Sequence, residues 1–390
     1  MSDILSLLSS LRQMTPEFIS NFCIVNGSIQ KLDDIENMGW KEYSLRSRLN
    51  MPLHLYKYFP NTLTEQKNPE TQEIIKTNYS HKSILNNEVF LNTPLDFDDV
   101  YDSDISISFE NYSRDRLLYY ASLCGCDFTA CKELSEMAYQ LSLVLFQALS
   151  SGKSMLSVFN TESLSKSAKL TLENFTLCIE NALLKNTEWN NAIAQAVQIE
   201  YNDLIRSIRN TFRISCFTTT PFSQRMWGSS YADNHRGFCV EYQIIPDDPK
   251  YQQIINNLFP VIYCKKRSDI EKQLIHWQDD LTEESLWSIY SHGVLRKSID
   301  WGDQNEWRLL LPGAHNQGGF TVPFFPISKI YLGNRMDHQH RKELIDICHS
   351  KNIPYIGVSR DSDWYEMQEC PVLCENCSNY LSFIKRKEQS

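Results

Sequence analysis

From residue 112 to residue 210 the chain carries no proline and only two glycines, Gly125 and Gly152. Within it, runs such as ELSEMAYQLSLVLFQAL and WNNAIAQAVQIEYNDLIRSIRN place apolar residues three and four positions apart. Such spacing, without helix breakers, suits amphipathic helices and predicts a block of about three to five of them. On both sides the period changes to two. In LHLYKYF, Leu55, Lys57 and Phe59 alternate with Tyr56 and Tyr58, and Val89 to Leu91 reads as a second short strand. Beyond the block, Phe212, Ile214 and Cys216 alternate with Arg213, Ser215 and Phe217, and Phe238, Val240, Tyr242 and Ile244 alternate with Cys239, Glu241 and Gln243. Further strands are expected at 261–264, 307–311, 319–325, 329–332 and 355–358, and helices at 266–296 and 338–350.

Strands on both sides of a helical block, without strict strand-helix alternation, specify an α+β fold: a mixed, mostly antiparallel β core with a large all-helical insertion. Leu5, Leu8 and Leu11, followed by Thr15 and Pro16 ahead of Glu17, predict a helical N-terminal extension over 1–50. A polar loop at 61–68 and a short helix near 71–86 are expected before the second strand. The expected division is 1–50 as extension, 53–366 as the β-rich core with 112–210 inserted, and 367–390 as a cysteine-containing tail.

Composition narrows the functional classes. With 42% hydrophobic and 22% charged residues the chain is expected to fold. Its net charge of −10 argues against coating nucleic acid by bulk charge, so any acidic partner must meet a local group such as Lys57, Arg213, Arg236 and Arg308. Only 13 glycines are present, and there is no phosphate-binding loop, dinucleotide fingerprint, kinase set or nucleophile elbow. The start MSDILSLLSS lacks a signal-peptide pattern and the longest apolar stretch is too short to span a bilayer. A cytoplasmic protein without a membrane partner is expected, with its 12 cysteines as thiols.

Three segments carry candidate chemistry. Cys370, Cys374 and Cys377 lie within eight residues and end in C-x-x-C, a spacing that lets thiolates reach one zinc ion, although ordinary thiols near a chain end are the commoner reading of it. SCFTTTPFSQRMWGSSYADNHRGFCVEY gathers Ser215, Trp227, Tyr231 and His235 between two strands. Its aromatics suit stacking on a ligand ring, or simply capping of the core. In WGDQNEWRLLLP, Glu306 and Arg308 stand at the start of an apolar strand. There the carboxylate can stabilise positive charge developing on a sugar and the guanidinium can hold phosphate, or the two can form a local ion pair.

These residues resemble those of the bacterial domain of unknown function 2971 family. The resemblance rests on LYKYF at 55–59, SILNNEVFLNTPLDFDDVYD at 83–102, SCFTTT at 215–220, MWGSSYADNHRGFCVEY at 226–242, WGDQNEWRLLLP at 301–312 and FPISKIYLGNRM at 325–336. At 96–99 the chain reads Asp-Phe-Asp-Asp where that family more often has Phe-Asn-Asp-Pro. The family's activity is unknown, and the resemblance implies a setting of bacterial conflict or phage defence, with toxin-like effectors among the possibilities.

A looser likeness to ADP-ribosyltransferases lies in the order of a first strand with polar residues, a helix ending in Ile-Leu-x-Asn, and a late strand bearing Glu306. It implies an NAD-using transferase or glycohydrolase acting on a nucleic-acid or protein acceptor. On that reading Glu306 is the catalytic carboxylate, Arg308 positions it or a phosphate, and Tyr56, Lys57, Tyr58, Ser215, Trp227, Tyr231 and His235 hold NAD. The alternatives are a metal-dependent nuclease using Asp96, Asp98, Asp99 and Glu306, and a non-catalytic sensor of a nucleotide or phage component. The helical insert would then carry a signal, bind a partner protein or mediate self-association.

Overall fold

The computed structural model describes residues 20–68, 72–97, 102–103, 107–267, 287, 289–313 and 318–370. The chain divides into two units. One comprises Met1–Phe97, Phe212–Lys265 and Lys297–Ser390; the other comprises Asp98–Thr211 and Lys266–Arg296.

The second unit is helical, with α4 (Phe109–Leu123), α5 (Leu134–Ser150), α6 (Lys166–Leu184) and α7 (Trp189–Asn210) in place of the proline-free stretch. Ser108 and Ser165 cap α4 and α6 by accepting from the backbone N–H three residues on, which meets donors a helix start leaves open. Leu117, Leu141, Leu145, Leu172, Phe175, Ile179, Ile193 and Val197 fill its core at the spacing the sequence displays. Three polar groups join them. Arg116 pairs with Glu200 at 2.5 Å, and the Tyr120 hydroxyl donates to Glu200 at 2.7 Å.

The first unit holds the sheets. A five-stranded sheet has the order β16-β15-β14-β8-β3, from β3 (His54–Phe59), β8 (Phe238–Gln243), β14 (Ile327–Leu332), β15 (Tyr355–Arg360) and β16 (Met367–Glu369). All its pairings are antiparallel except β14 with β15, which are joined by the helix α10 (His338–Lys351). A parallel pair requires such a crossover.

A three-stranded sheet places β12 (Trp307–Pro312) between β7 (Phe212–Phe217) and β9 (Leu258–Pro260). Paired bridges tie β7 to its neighbours: Tyr56 with Thr218 on the β3 side, and Asn92 with Ile214 beyond β6 (Glu88–Leu91). The core between them contains Leu55, Val89, Phe217, Val240, Leu258, Trp307, Leu309, Phe324 and Leu332, with Phe217 stacked on Phe324 at 4.6 Å. The α+β class stands, and the strands expected at 55–59, 89–91, 212–217 and 238–243 fall where alternation places them.

The N-terminal and 61–86 readings need correction. Residues 1–19 lie outside the described residues, and 20–50 contain a hairpin as well as helices. It consists of β1 (Phe22–Val25) and β2 (Ser28–Lys31). Two helices follow, α1 (Leu32–Glu36) and α2 (Trp40–Leu49). Asn26 and Gly27 both adopt positive φ, 47° and 74°, the conformation a two-residue hairpin turn needs and an Asn-Gly pair accepts readily. The exposed β1 edge is avoided because β1 pairs with β10 (Ile262–Cys264) on its other side. The stretch 61–77 likewise contains a hairpin, β4 (Thr64–Lys67) with β5 (Ile74–Thr77), whose fully polar β4 shows no alternation. The helix α3 (Tyr79–Asn86) starts only at residue 79, where Asn78 caps it.

Candidate functional site

The head of β12 is where sequence-distant polar residues meet. Shortly before it, the six residues Ile299–Gln304 make a short 3₁₀ segment, and Asn305 turns the chain in the left-handed conformation at φ 42°. Asn305 Nδ2 donates to Thr219 Oγ1 at 2.7 Å, while Thr218 Oγ1 donates to the Gln304 carbonyl at 2.6 Å. These bonds fix the approach to Glu306, whose backbone N–H donates to the Tyr263 hydroxyl at 2.8 Å.

The Glu306 side chain is 5% exposed and both its oxygens are engaged. Oε2 accepts from Lys297 Nζ at 2.9 Å, and Oε1 accepts from Arg308 Nε at 2.6 Å. Burial opposes ionisation, but Arg308 and then Lys297 outweigh it and hold the carboxyl far below the ordinary 4.5. Lys297 also donates to Gln304 Oε1 at 3.0 Å and lies 5.3 Å from the Trp301 ring centroid.

Lys57 completes the cluster from β3. Its Nζ donates to Ser215 Oγ and to the Cys216 carbonyl, each at 3.0 Å. Burial pushes the ammonium below the ordinary lysine value, while Cys216 and then Glu306 act in the opposite sense. The β7–β12 register sets this meeting, since Cys216 opposes Arg308 and Ser215 opposes Leu309. Four of the residues singled out in the sequence, Lys57, Ser215, Glu306 and Arg308, are therefore brought together. Lys297 and Tyr263 belong with them but carry no distinguishing motif, and Gln304 joins from within WGDQNEWRLLLP.

Other residues from that set gather elsewhere. Successive side chains of β3 alternate in direction, so Tyr56 and Tyr58 leave Lys57 and join Trp227, Cys239 and Tyr331 in a separate cluster. Trp227 is a core residue rather than an open stacking platform: it has no exposed surface, and its indole N–H donates to the Pro221 carbonyl at 2.7 Å. Tyr58 meets it edge-on at 5.3 Å and His235 stacks on it at 6.2 Å. Tyr231 is 42% exposed and keeps an accessible ring.

Cys370 donates its backbone N–H to the Gly357 carbonyl at 2.8 Å. Cys374, Cys377, Asp98 and Asp99 lie outside the described residues. Among the described residues no group of three or more His, Cys, Asp and Glu side chains is placed to hold a metal. Cys348 is buried in the core, and His349 shares a hydrogen bond with the Tyr355 hydroxyl at 3.2 Å. No helix among the described residues is long and apolar enough to cross a membrane.

A family model described as "Protein of unknown function (DUF2971)" matches residues 226–309. The match supports the family resemblance. It begins at Met226, takes in Trp227, Tyr231 and His235, and ends just past Glu306 and Arg308. No curated protein and no solved structure matches the chain.

Proposed function

We propose that the Lys57–Ser215–Glu306–Arg308 cluster is the centre of an NAD-using enzyme that transfers ADP-ribose to a nucleic acid, a protein or water. The observation that supports this reading most is a buried, ionised carboxylate at a strand head with a lysine from a second sheet in its field. In a site shielded from water, such a carboxylate favours positive charge developing on the ribose. The C–N glycosidic bond breaks and its electron pair neutralises the pyridinium, so nicotinamide leaves uncharged. The acceptor oxygen or nitrogen then bonds to C1′ and releases its proton.

In this scheme Lys57 meets the ligand's phosphates and Arg308 orients Glu306. Tyr231, with its exposed ring, takes the stacking role in place of Trp227. Asp98 and Asp99 lie outside the described residues, and no group of three acidic side chains among the described residues is placed to hold Mg²⁺, so the nuclease alternative lacks a supporting observation. The setting in conflict or phage defence rests on the family resemblance.

The test is release of nicotinamide from labelled NAD with macromolecular acceptors present. The wild-type protein is expected to release it, and Lys57→Gln and Glu306→Gln to lower the rate by about 10²-fold or more. Because Glu306→Gln strands two buried cations, its folding is checked by circular dichroism, and Lys57→Gln serves as the second variant. No release by wild type, or equal release by a folded Glu306→Gln protein, sinks the proposal.

A further inference from the structure

A second group of cations meets at one end of the five-stranded sheet, and its chemistry is independent of the Glu306 reading. Leu332 of β14 pairs with Phe238 of β8 and with Gly357 of β15. The antiparallel and parallel registers therefore deliver the segment entering β8, the segment leaving β14 and the last residue of β15 to the same end. Those pieces carry His235 and Arg236, then Arg335, then Arg360.

The backbone there is tightly fixed. Asp233, Asn234 and His235 are three consecutive non-glycine residues in the left-handed region, at φ 45°, 51° and 69°. Asn, Asp and His tolerate that region better than other residues, yet three in succession store strain that the surroundings must hold. They do so through close backbone approach. Arg335 N–H donates to the His235 carbonyl and Gly333 N–H to the Gly237 carbonyl, both at 3.0 Å, and His235 N–H donates to the Trp227 carbonyl at 2.8 Å. A Cβ on Gly333 would come within 2.2 Å of the His235 carbonyl oxygen, so only glycine permits this contact.

Of the arginines held by this frame, only Arg236 has a partner of opposite charge among the described residues, Asp233. Arg335 and Arg360 are exposed, and neither has an acidic partner among the described residues. Arg236 approaches Asp233 only at 3.8 Å. The His235 ring lies flat on Trp227 at an interplanar angle of 13°, and its Nδ1 is buried without a hydrogen-bond partner. Burial, then Arg335 and Arg360, push the imidazole below its ordinary value. Like charges gathered on a rigid frame repel one another, and an anion among them relieves that repulsion.

We propose that this sheet end binds the phosphate group of a small ligand, held by the guanidinium forks of Arg335 and Arg360 beside His235. The planar fork suits phosphate, and two forks with one imidazole match one or two phosphate groups. A long polyanion is disfavoured because the chain as a whole carries a charge of −10. Either inorganic phosphate or the phosphate of a nucleotide supplies the recognised chemistry.

Titration calorimetry of the full chain with inorganic phosphate, ADP, adenosine and a short single-stranded oligonucleotide tests this. Phosphate and ADP are expected to bind and adenosine is not. The Arg335→Glu/Arg360→Glu variant is expected to bind at least tenfold more weakly with an unchanged melting curve, since both side chains are exposed. His235→Asn, which keeps a residue tolerant of positive φ, should weaken binding severalfold and remove the imidazole resonance that phosphate shifts in the wild-type NMR spectrum. ADP binding tenfold tighter than phosphate identifies a nucleotide site, and equal affinities identify a site for phosphate alone. Absence of phosphate and ADP binding at millimolar concentration overturns the proposal, as does unchanged binding by both variants. An oligonucleotide binding more tightly than ADP, in a strongly salt-dependent way, overturns the small-ligand assignment.

Discussion

The two units each bury a glutamate against an arginine, but they do so in different ways. In the helical unit Glu200 of α7 meets Arg116 and Tyr120, both from α4, so the polar group is assembled from two helices and closed by one hydroxyl. In the β-rich unit Glu306 collects Lys297 and Arg308, while Gln304, Tyr263, Thr218 and Ser215 fix the groups around it and Lys57 reaches in from a second sheet. A buried ion pair by itself is therefore no mark of a site. A pair that serves packing needs few contributors, whereas the Glu306 group draws on five separate stretches of chain and includes an ammonium destabilised by its own burial.

Charge removal tests that contrast with the largest effect. Arg116→Met and Glu306→Gln each leave buried charge uncompensated, and each is expected to cost about 3–5 kcal/mol in urea unfolding. The second substitutions should separate the two. Arg116→Met with Glu200→Leu replaces the whole pair by apolar groups of similar size and is expected to return to within about 1 kcal/mol of wild type. Glu306→Gln with Arg308→Met still leaves Lys297 buried without its carboxylate, so most of the loss should persist. Equal recovery in both double variants would mean that the Glu306 group is only another packing pair.

A smaller, pH-dependent effect follows from the depressed carboxyl of Glu306. A group whose folded-state value lies below its unfolded value contributes stability that is present above the unfolded value, here 4.5, and lost as pH falls through the folded one. The stability difference between wild type and Glu306→Gln is therefore expected to be flat from pH 7 to about 5 and to shrink steadily below pH 4.5. A difference that stays constant to pH 3 would show that Lys297 and Arg308 do not set the protonation of Glu306.

Much of this contrast was legible in the sequence, though unevenly. Helix periodicity between 112 and 210 and the alternation of 55–59, 212–217 and 238–243 reflect burial of one face, and burial is what hydropathy records. The β1–β2 hairpin carried a usable signal in Asn26-Gly27, but FCIV and SIQK are too short to display a period. Lys57, Glu306 and Arg308 stood out as charged residues within apolar strands. Lys297 does not, because only the turn through Ile299–Gln304 brings it back beside Glu306, and for Trp227 the sequence leaves stacking and core capping both open, since it does not show which aromatic a loop folds inward. Arg335 and Arg360, 25 residues apart, become neighbours only through the parallel register of β14 and β15.

The smallest expected effect concerns aim rather than charge. Asn305 holds the left-handed conformation immediately before Glu306 and donates to Thr219, whereas α4 and α7 deliver Arg116 and Glu200 from regular helix. Asn305→Ala loses the hydrogen bond and places a Cβ where the left-handed backbone resists it, for an expected cost of about 1–2 kcal/mol. Asn305→Gly loses the hydrogen bond but keeps the backbone free to adopt φ 42°, so its cost should be about half that. If the conformation matters chiefly by aiming the carboxylate, Asn305→Gly should still slow nicotinamide release severalfold while remaining close to wild type in urea. If Asn305→Gly and Asn305→Ala were equally stable, the left-handed backbone would contribute nothing, and the Glu306 group would rest on side-chain bonds alone, as the Glu200 group does.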